Sequence, residues 1–132
     1  MDGRGTLGAC SKKAINLWTA SMVVWIFVIV YQVIVGLIAL MVCYGGSMLL
    51  CAVWNIVVTI IMMSNIGKFK RNPPIMVSFS SNQKVTTIIF IFINLFLGGV
   101  LGVVGNILEL VAIEYTLNHS REIYAECGLM PR

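Results

Sequence analysis

The sequence predicts an all-α integral membrane protein, built as a small bundle of three transmembrane helices. Three observations carry this reading. The composition is 59% hydrophobic and 11% charged, whereas a soluble domain typically carries about 25% charge. A chain of 132 residues cannot hide that much apolar surface in a core of its own. The apolar residues also fall into charge-free blocks, Ala14–Cys43, Ser47–Gly67 and Val85–Leu108, each at or beyond the roughly 20 residues that cross a hydrocarbon core. Finally, the blocks lack the in/out alternation of a membrane barrel. Backbone groups in lipid must satisfy one another, so even runs rich in Val and Ile are expected to be helical.

Residues 1–13 read as a polar cytoplasmic tail. The apolar run that follows is about twice the typical 7–15 residues of a signal-peptide core, so it is expected to stay as an uncleaved anchor. The first span covers 14–43. A tight outer turn at 44–46 uses Gly45-Gly46 for the reversal. The second span covers 47–66. Gly67 suits a helix C-cap and Pro73-Pro74 stops continuation, so 67–84 is expected to be a basic cytoplasmic loop. The third helix is expected over 85–117 with a protruding outer end, and 118–132 forms the tail. The alternative is four spans, with the third block broken at Gly98-Gly99 or Gly105 into a hairpin. About 33 residues are too few for two full spans, which favours three.

Charge sets the expected orientation. Arg4, Lys12, Lys13, Lys68, Lys70, Arg71 and Lys84 lie on one side of a three-span chain, and Arg121 and Arg132 on the other. The positive-inside rule then puts the N-terminus in the cytoplasm and the C-terminus outside or in a lumen. Asn118-His119-Ser120 is a glycosylation sequon that this topology would expose to glycosylation. The basic excess sits beside spans, which points to anionic lipid and not to nucleic acid; Lys68, Lys70 and Arg71 are the expected headgroup contacts.

Catalytic parts are scarce. His119 is the single His, and no paired carboxylates or Cys-x-x-Cys are present, so neither an enzyme nor a metal or cofactor site is expected. Counted from Lys84, Glu109 lies about 37 Å along a helix, beyond a core of about 30 Å, which puts it among the headgroups.

The third helix carries Asn94, Gly98, Gly102, Gly105 and Glu109 on one face, a close-packing stripe. The first aligns Trp18, Ser21, Trp25, Gln32, Gly36, Ala39 and Cys43, and the second Ser47, Cys51, Asn55, Met62 and Asn65 with Thr59 nearby. Gln32, Asn55, Thr59 and Asn94 are expected to share one depth and form a buried polar layer, since a lone amide in hydrocarbon is costly. Cys10 is placed for palmitoylation. A disulfide from Cys127 to Cys43 or Cys51 is compatible with the predicted topology. The expected partners are membrane lipids and other transmembrane helices, in a homo- or hetero-oligomer, with no small-molecule substrate evident. The expected role is an accessory, assembly or scaffold subunit acting through helix association. The alternative is an oligomeric pore or carrier lined by mid-membrane Gln, Asn and Thr.

Overall fold

The charge-free runs do become helices, and one more helix forms than the charges suggest. A computed structural model describes residues 7–42 and 46–129. Its helices are α1 (Ala9–Leu40), α2 (Gly46–Arg71), α3 (Ile75–Ile93), α4 (Gly99–Asn118) and the short α5 (Ser120–Glu126), with a single π turn, Asn94–Gly98, extending α3. No strand occurs among the described residues. Four helices are long and apolar enough to cross a bilayer: α1, α2, α3 with its π turn to Leu97, and α4.

Two expectations are corrected here. The loop expected over 67–84 shrinks to Asn72–Pro74, because α2 continues through Lys68, Lys70 and Arg71 and α3 starts at Ile75. The turn is closed by backbone bonds from Met76 N–H to Pro73 O, 2.9 Å, and Val77 N–H to Pro74 O, 3.1 Å. The polar run Ser78–Lys84 is helical: Ser80 is buried in the bundle while Ser81 and Asn82 face out. The ten residues from Ile75 to Lys84 supply the length that two spans need. The continuous helix expected over 85–117 is therefore broken, at Gly99, whose φ of 79° and ψ of 171° suit glycine almost alone. The three-span bundle gives way to the four-span alternative.

The helices run up, down, up and down. Contacts pair Gly36 with Leu49 between α1 and α2, Thr87 with Glu109 between α3 and α4, and Trp18 with Thr116 between α1 and α4. Each pair is antiparallel. The buried surface combines large apolar groups with polar ones: Trp18, Trp25, Phe69, Met62 and Met76 alongside Ser21, Gln32, Asn55, Thr87, Asn106 and Glu109. Phe27, Leu50, Phe96 and Val100 point outward, as a lipid-facing surface permits.

The described ends of the chain, the start of α1 and the end of α5, meet at one end of the bundle, where a three-span chain would hold them apart. Glu126 reaches the start of α1, accepting hydrogen bonds from Cys10 N–H (2.8 Å), Ser11 N–H (2.9 Å) and Ser11 Oγ (2.7 Å). These satisfy donors that a helix N-terminus otherwise leaves open. Burial pushes the Glu126 carboxyl up, but the donors from Ser11 and Cys10 outweigh it and hold the group below its ordinary value. Asn118, at the end of α4, lies at this same end as Lys12, Lys13, Lys68, Lys70, Arg71 and Arg121. A cytoplasmic basic end and a glycosylated Asn118 are thus incompatible. Cys51 is buried near the start of α2, at the opposite end from Cys127, so those two cannot form the expected disulfide. Cys43 lies outside the described residues.

Gly99→Ala is expected to destabilise the protein by about 1–3 kcal/mol through strain at its positive φ. Gly67→Ala, where an added Cβ meets open space, should be neutral or stabilising by up to about 1 kcal/mol. Unfolding by SDS titration in mixed micelles measures both. The Glu126 contact contributes fully above the ordinary carboxylate range and is lost as pH falls through the lowered folded-state value. Hydrogen exchange at the Cys10 and Ser11 amides should therefore accelerate on acidification, and Glu126→Gln should remove most of that dependence.

Candidate functional site

Polar side chains in the bundle form two connected layers. In the layer nearer the α3–α4 turn, Asn55 Nδ2 donates to Gln32 Oε1 at 2.7 Å, and a longer contact of 3.4 Å runs from Gln32 Nε2 to Asn94 Oδ1. Three elements, α1, α2 and the π turn, are thereby joined. Thr59 is buried one turn along α2 from Asn55, and its Oγ1 has no hydrogen-bond partner in the protein. Asn94 stands five residues before Gly99, about 7 Å of helix, because the chain turns at Gly99 and not beyond Gly105.

The second layer is centred on Glu109. Ten residues separate it from Gly99, about 15 Å of helix, which puts it at the midpoint of α4 and not at the protruding end expected from sequence. Its side chain is 3% exposed. Trp25 Nε1 on α1 donates to Oε2 at 3.1 Å, and Thr87 Oγ1 on α3 donates to Oε1 at 3.1 Å. Both carboxyl oxygens therefore accept, and among the described residues no Lys, Arg or His lies within ion-pair distance. The acid nearer the surface, Glu114, is partly exposed and paired with Lys84. That pair lies across α3 and α4.

Glycines give this arrangement its close fit. A Cβ on Gly105 would stand 3.2 Å from the Trp25 ring, and one on Gly102 would meet the Asn94 amide at 2.5 Å. Gly36 faces the flexible end of Leu49. The glycine faces are thus occupied inside the bundle. The surroundings of Gly98 lie outside the described ones, and Ala39 is half-buried near the end of α1.

Between α2 and α3 the backbones stand apart and a cleft opens. Trp54 and Phe90 bridge it as parallel rings, centroids 5.1 Å apart. Behind them lie Trp25, Asn55, Thr87, Asn106 and Glu109. The space measures about 10 Å³ for the centre of a water-sized sphere, close to what one water needs. Asn106 is 2% exposed and its Nδ2 has no hydrogen-bond partner in the protein.

Sequence reasoning placed Trp25 and Glu109 on the small-residue faces of their helices but gave neither a role; Thr87 and Asn106 were missed. The signal was that both faces carried a group able to bond at the same level. Among the other sequence candidates, Lys68, Lys70 and Arg71 are exposed at the end of α2, Asn118 is exposed at the end of α4, and Cys10 is half-buried beside Glu126.

Gly102→Ala must displace the short, buried Asn94 side chain, and a loss of about 1–3 kcal/mol is expected. Gly36→Ala only turns the end of Leu49 and should cost less than about 1 kcal/mol. Unfolding titrations of the two variants compare them directly, and equal losses would contradict the packing described.

No protein-family model, curated protein or solved structure matches the chain.

Proposed function

We propose that the chain is a small multi-pass carrier whose working group is the Glu109 carboxyl, which takes up a proton or a cation at mid-membrane. The observation that supports this is the position of Glu109: centred in the bundle, hydrogen-bonded on both oxygens, and without a cationic side chain beside it. An ionisable group at that depth is costly and marks a pathway more often than a fold requirement. A Gln would have one oxygen for the two donors, but it could not change charge. Polar groups continue away from it in both directions: Asn106, Asn55, Gln32 and Asn94 toward the α3–α4 turn, and Thr87, Thr86, Gln83 and Ser80 toward the basic end.

The accessory or scaffold role has less support. Its motive was a glycine stripe free to meet a partner, and Gly36, Gly102 and Gly105 already face Leu49, Asn94 and Trp25. The clustering of Lys12, Lys13, Lys68, Lys70, Arg71 and Arg121 favours a cytoplasmic basic end, with both termini there and Asn118 unglycosylated. Basic side chains beside anionic headgroups contribute about 1 kcal/mol each.

A lipophilic carbodiimide, which reacts with carboxyls reached from the bilayer, should label Glu109 in reconstituted vesicles, and Glu109→Gln should abolish that adduct. Vesicles with the native chain should dissipate an imposed pH gradient faster than vesicles with Glu109→Gln. An unlabelled Glu109 with identical gradient decay would overturn the proposal.

A further inference from the structure

The carboxyl does not face the hydrocarbon directly; it lies behind an aromatic seam. α2 and α3 are joined by the short turn Asn72–Pro74, and away from it they meet through side chains: Phe69 with Phe79 near that turn, centroids 5.4 Å apart, and Trp54 with Phe90 further up. The Trp54 and Phe90 planes differ by 5°. Trp54 is 43% exposed on the outer surface of the bundle. Two rings stacked across a backbone gap, one of them reaching the lipid, form a closure that side-chain rotation can open. Behind it stand the Trp25 ring and the Glu109 carboxyl, with the unpartnered Asn106 amide in the same wall.

From this arrangement we infer that the cleft between α2 and α3 is a binding site for a monovalent organic cation carrying an aromatic ring, such as an aryl quaternary ammonium, entering sideways from the bilayer. The inference rests on the carrier reading of Glu109 and names its substrate class. One carboxylate balances one positive charge. Trp25, Trp54 and Phe90 offer π faces, which attract a quaternary ammonium most strongly when water is excluded. An aryl group can take the place that each ring of the Trp54–Phe90 stack now gives the other. A hard divalent cation such as calcium or magnesium fits poorly, because Glu109 is the one carboxylate of the lining and leaves a second positive charge unbalanced, Asn55, Gln83, Thr86, Thr87 and Asn106 being neutral. The apolar entrance selects against strongly hydrated ions. The space now present suits one water, so binding requires Trp54 and Phe90 to part. The Asn106 N–H groups add a donor for a hydroxyl or ester oxygen on a suitable ligand.

The experiment uses the full chain in neutral-lipid nanodiscs with benzyltrimethylammonium as the probe and neopentylbenzene, its uncharged isostere, as the control. The cation should change tryptophan fluorescence saturably, bind at least about tenfold more tightly than the isostere, and protect Glu109 from the lipophilic carbodiimide. Trp54→Ala should reduce the preference for benzyltrimethylammonium over tetramethylammonium. Protection of the native chain needs no variant, so a folding defect in Trp54→Ala cannot mimic the result. Equal binding of cation and isostere, or carbodiimide labelling of Glu109 that the cation leaves unchanged, would overturn the inference while leaving the carrier reading intact. An unlabelled Glu109 with no cation binding, together with identical pH-gradient decay in native and Glu109→Gln vesicles, would overturn both.

Discussion

Polar side chains held in hydrocarbon are stabilised by partners within the bundle, and the helix order follows from where Trp25, Thr87, Glu109, Gln32, Asn55 and Asn94 find theirs, although Thr59 Oγ1 and Asn106 Nδ2 are buried without one. An unsatisfied amide or hydroxyl costs several kcal/mol in an apolar medium. Lipid, being as apolar as Leu, gives the greasy faces of the helices no reason to leave it. The order and register of α1 to α4 are therefore set by the groups lipid does not accommodate. Trp25, Thr87 and Glu109 tie α1, α3 and α4 at mid-depth, and Gln32, Asn55 and Asn94 tie α1, α2 and the π turn nearer the surface. Such bonds contribute about 0.6 kcal/mol each on average, so none holds the bundle alone. Their effect is specific because Gly102 and Gly105 bring the backbone close beneath Asn94 and Trp25.

The same constraint distributes rigidity unevenly. α1 and α4 are joined along their length, from Cys10 and Ser11 with Glu126, through Trp18 with Thr116, to Trp25 with Glu109. α3 is held to α4 by the Gly99 reversal, by Thr87 and by the Lys84–Glu114 pair. The seam between α2 and α3 depends on rings. With α1–α4, α3–α4 and, through Gln32–Asn55 and Gly36–Leu49, α1–α2 closely joined, the aromatic seam is where the proposed opening to the buried carboxyl would come. Packing, motion and the proposed chemistry thus meet at Trp54, Phe90 and Glu109.

Much of this was legible in the residues. The apolar runs specify membrane helices, and Gln32, Asn55 and Asn94 stand out because amides in such runs need partners. Two features were obscured. Ser78–Lys84 has the composition of an aqueous loop, and only the bundle shows that Ser80 turns inward while Lys84 is paired with Glu114. With Lys84 as the membrane edge, the remaining block is too short for two spans and Glu109 falls beyond the core. Measured from Gly99 it falls at the midpoint of α4. The Gly98-Gly99 pair was the cue, but a glycine pair in a membrane helix serves packing as well as reversal, and its sequence does not distinguish the two. The partner of Glu109 was equally hidden: Trp25 and Glu109 are 84 residues apart, and only the helix order brings them together.

The account stands on a direct bond between Trp25 and Glu109 inside the four-helix bundle. A double-mutant cycle measures it, with Trp25→Phe, Glu109→Gln and the double variant unfolded by SDS titration in mixed micelles. Residues in contact give coupling energies of about 0.5 kcal/mol or more, and membrane hydrogen bonds reach about 1.7 kcal/mol. A favourable coupling in that range is the expected result. Losses that simply add, with no coupling between the two positions, would contradict the arrangement of α1 against α4 and the buried site built on it.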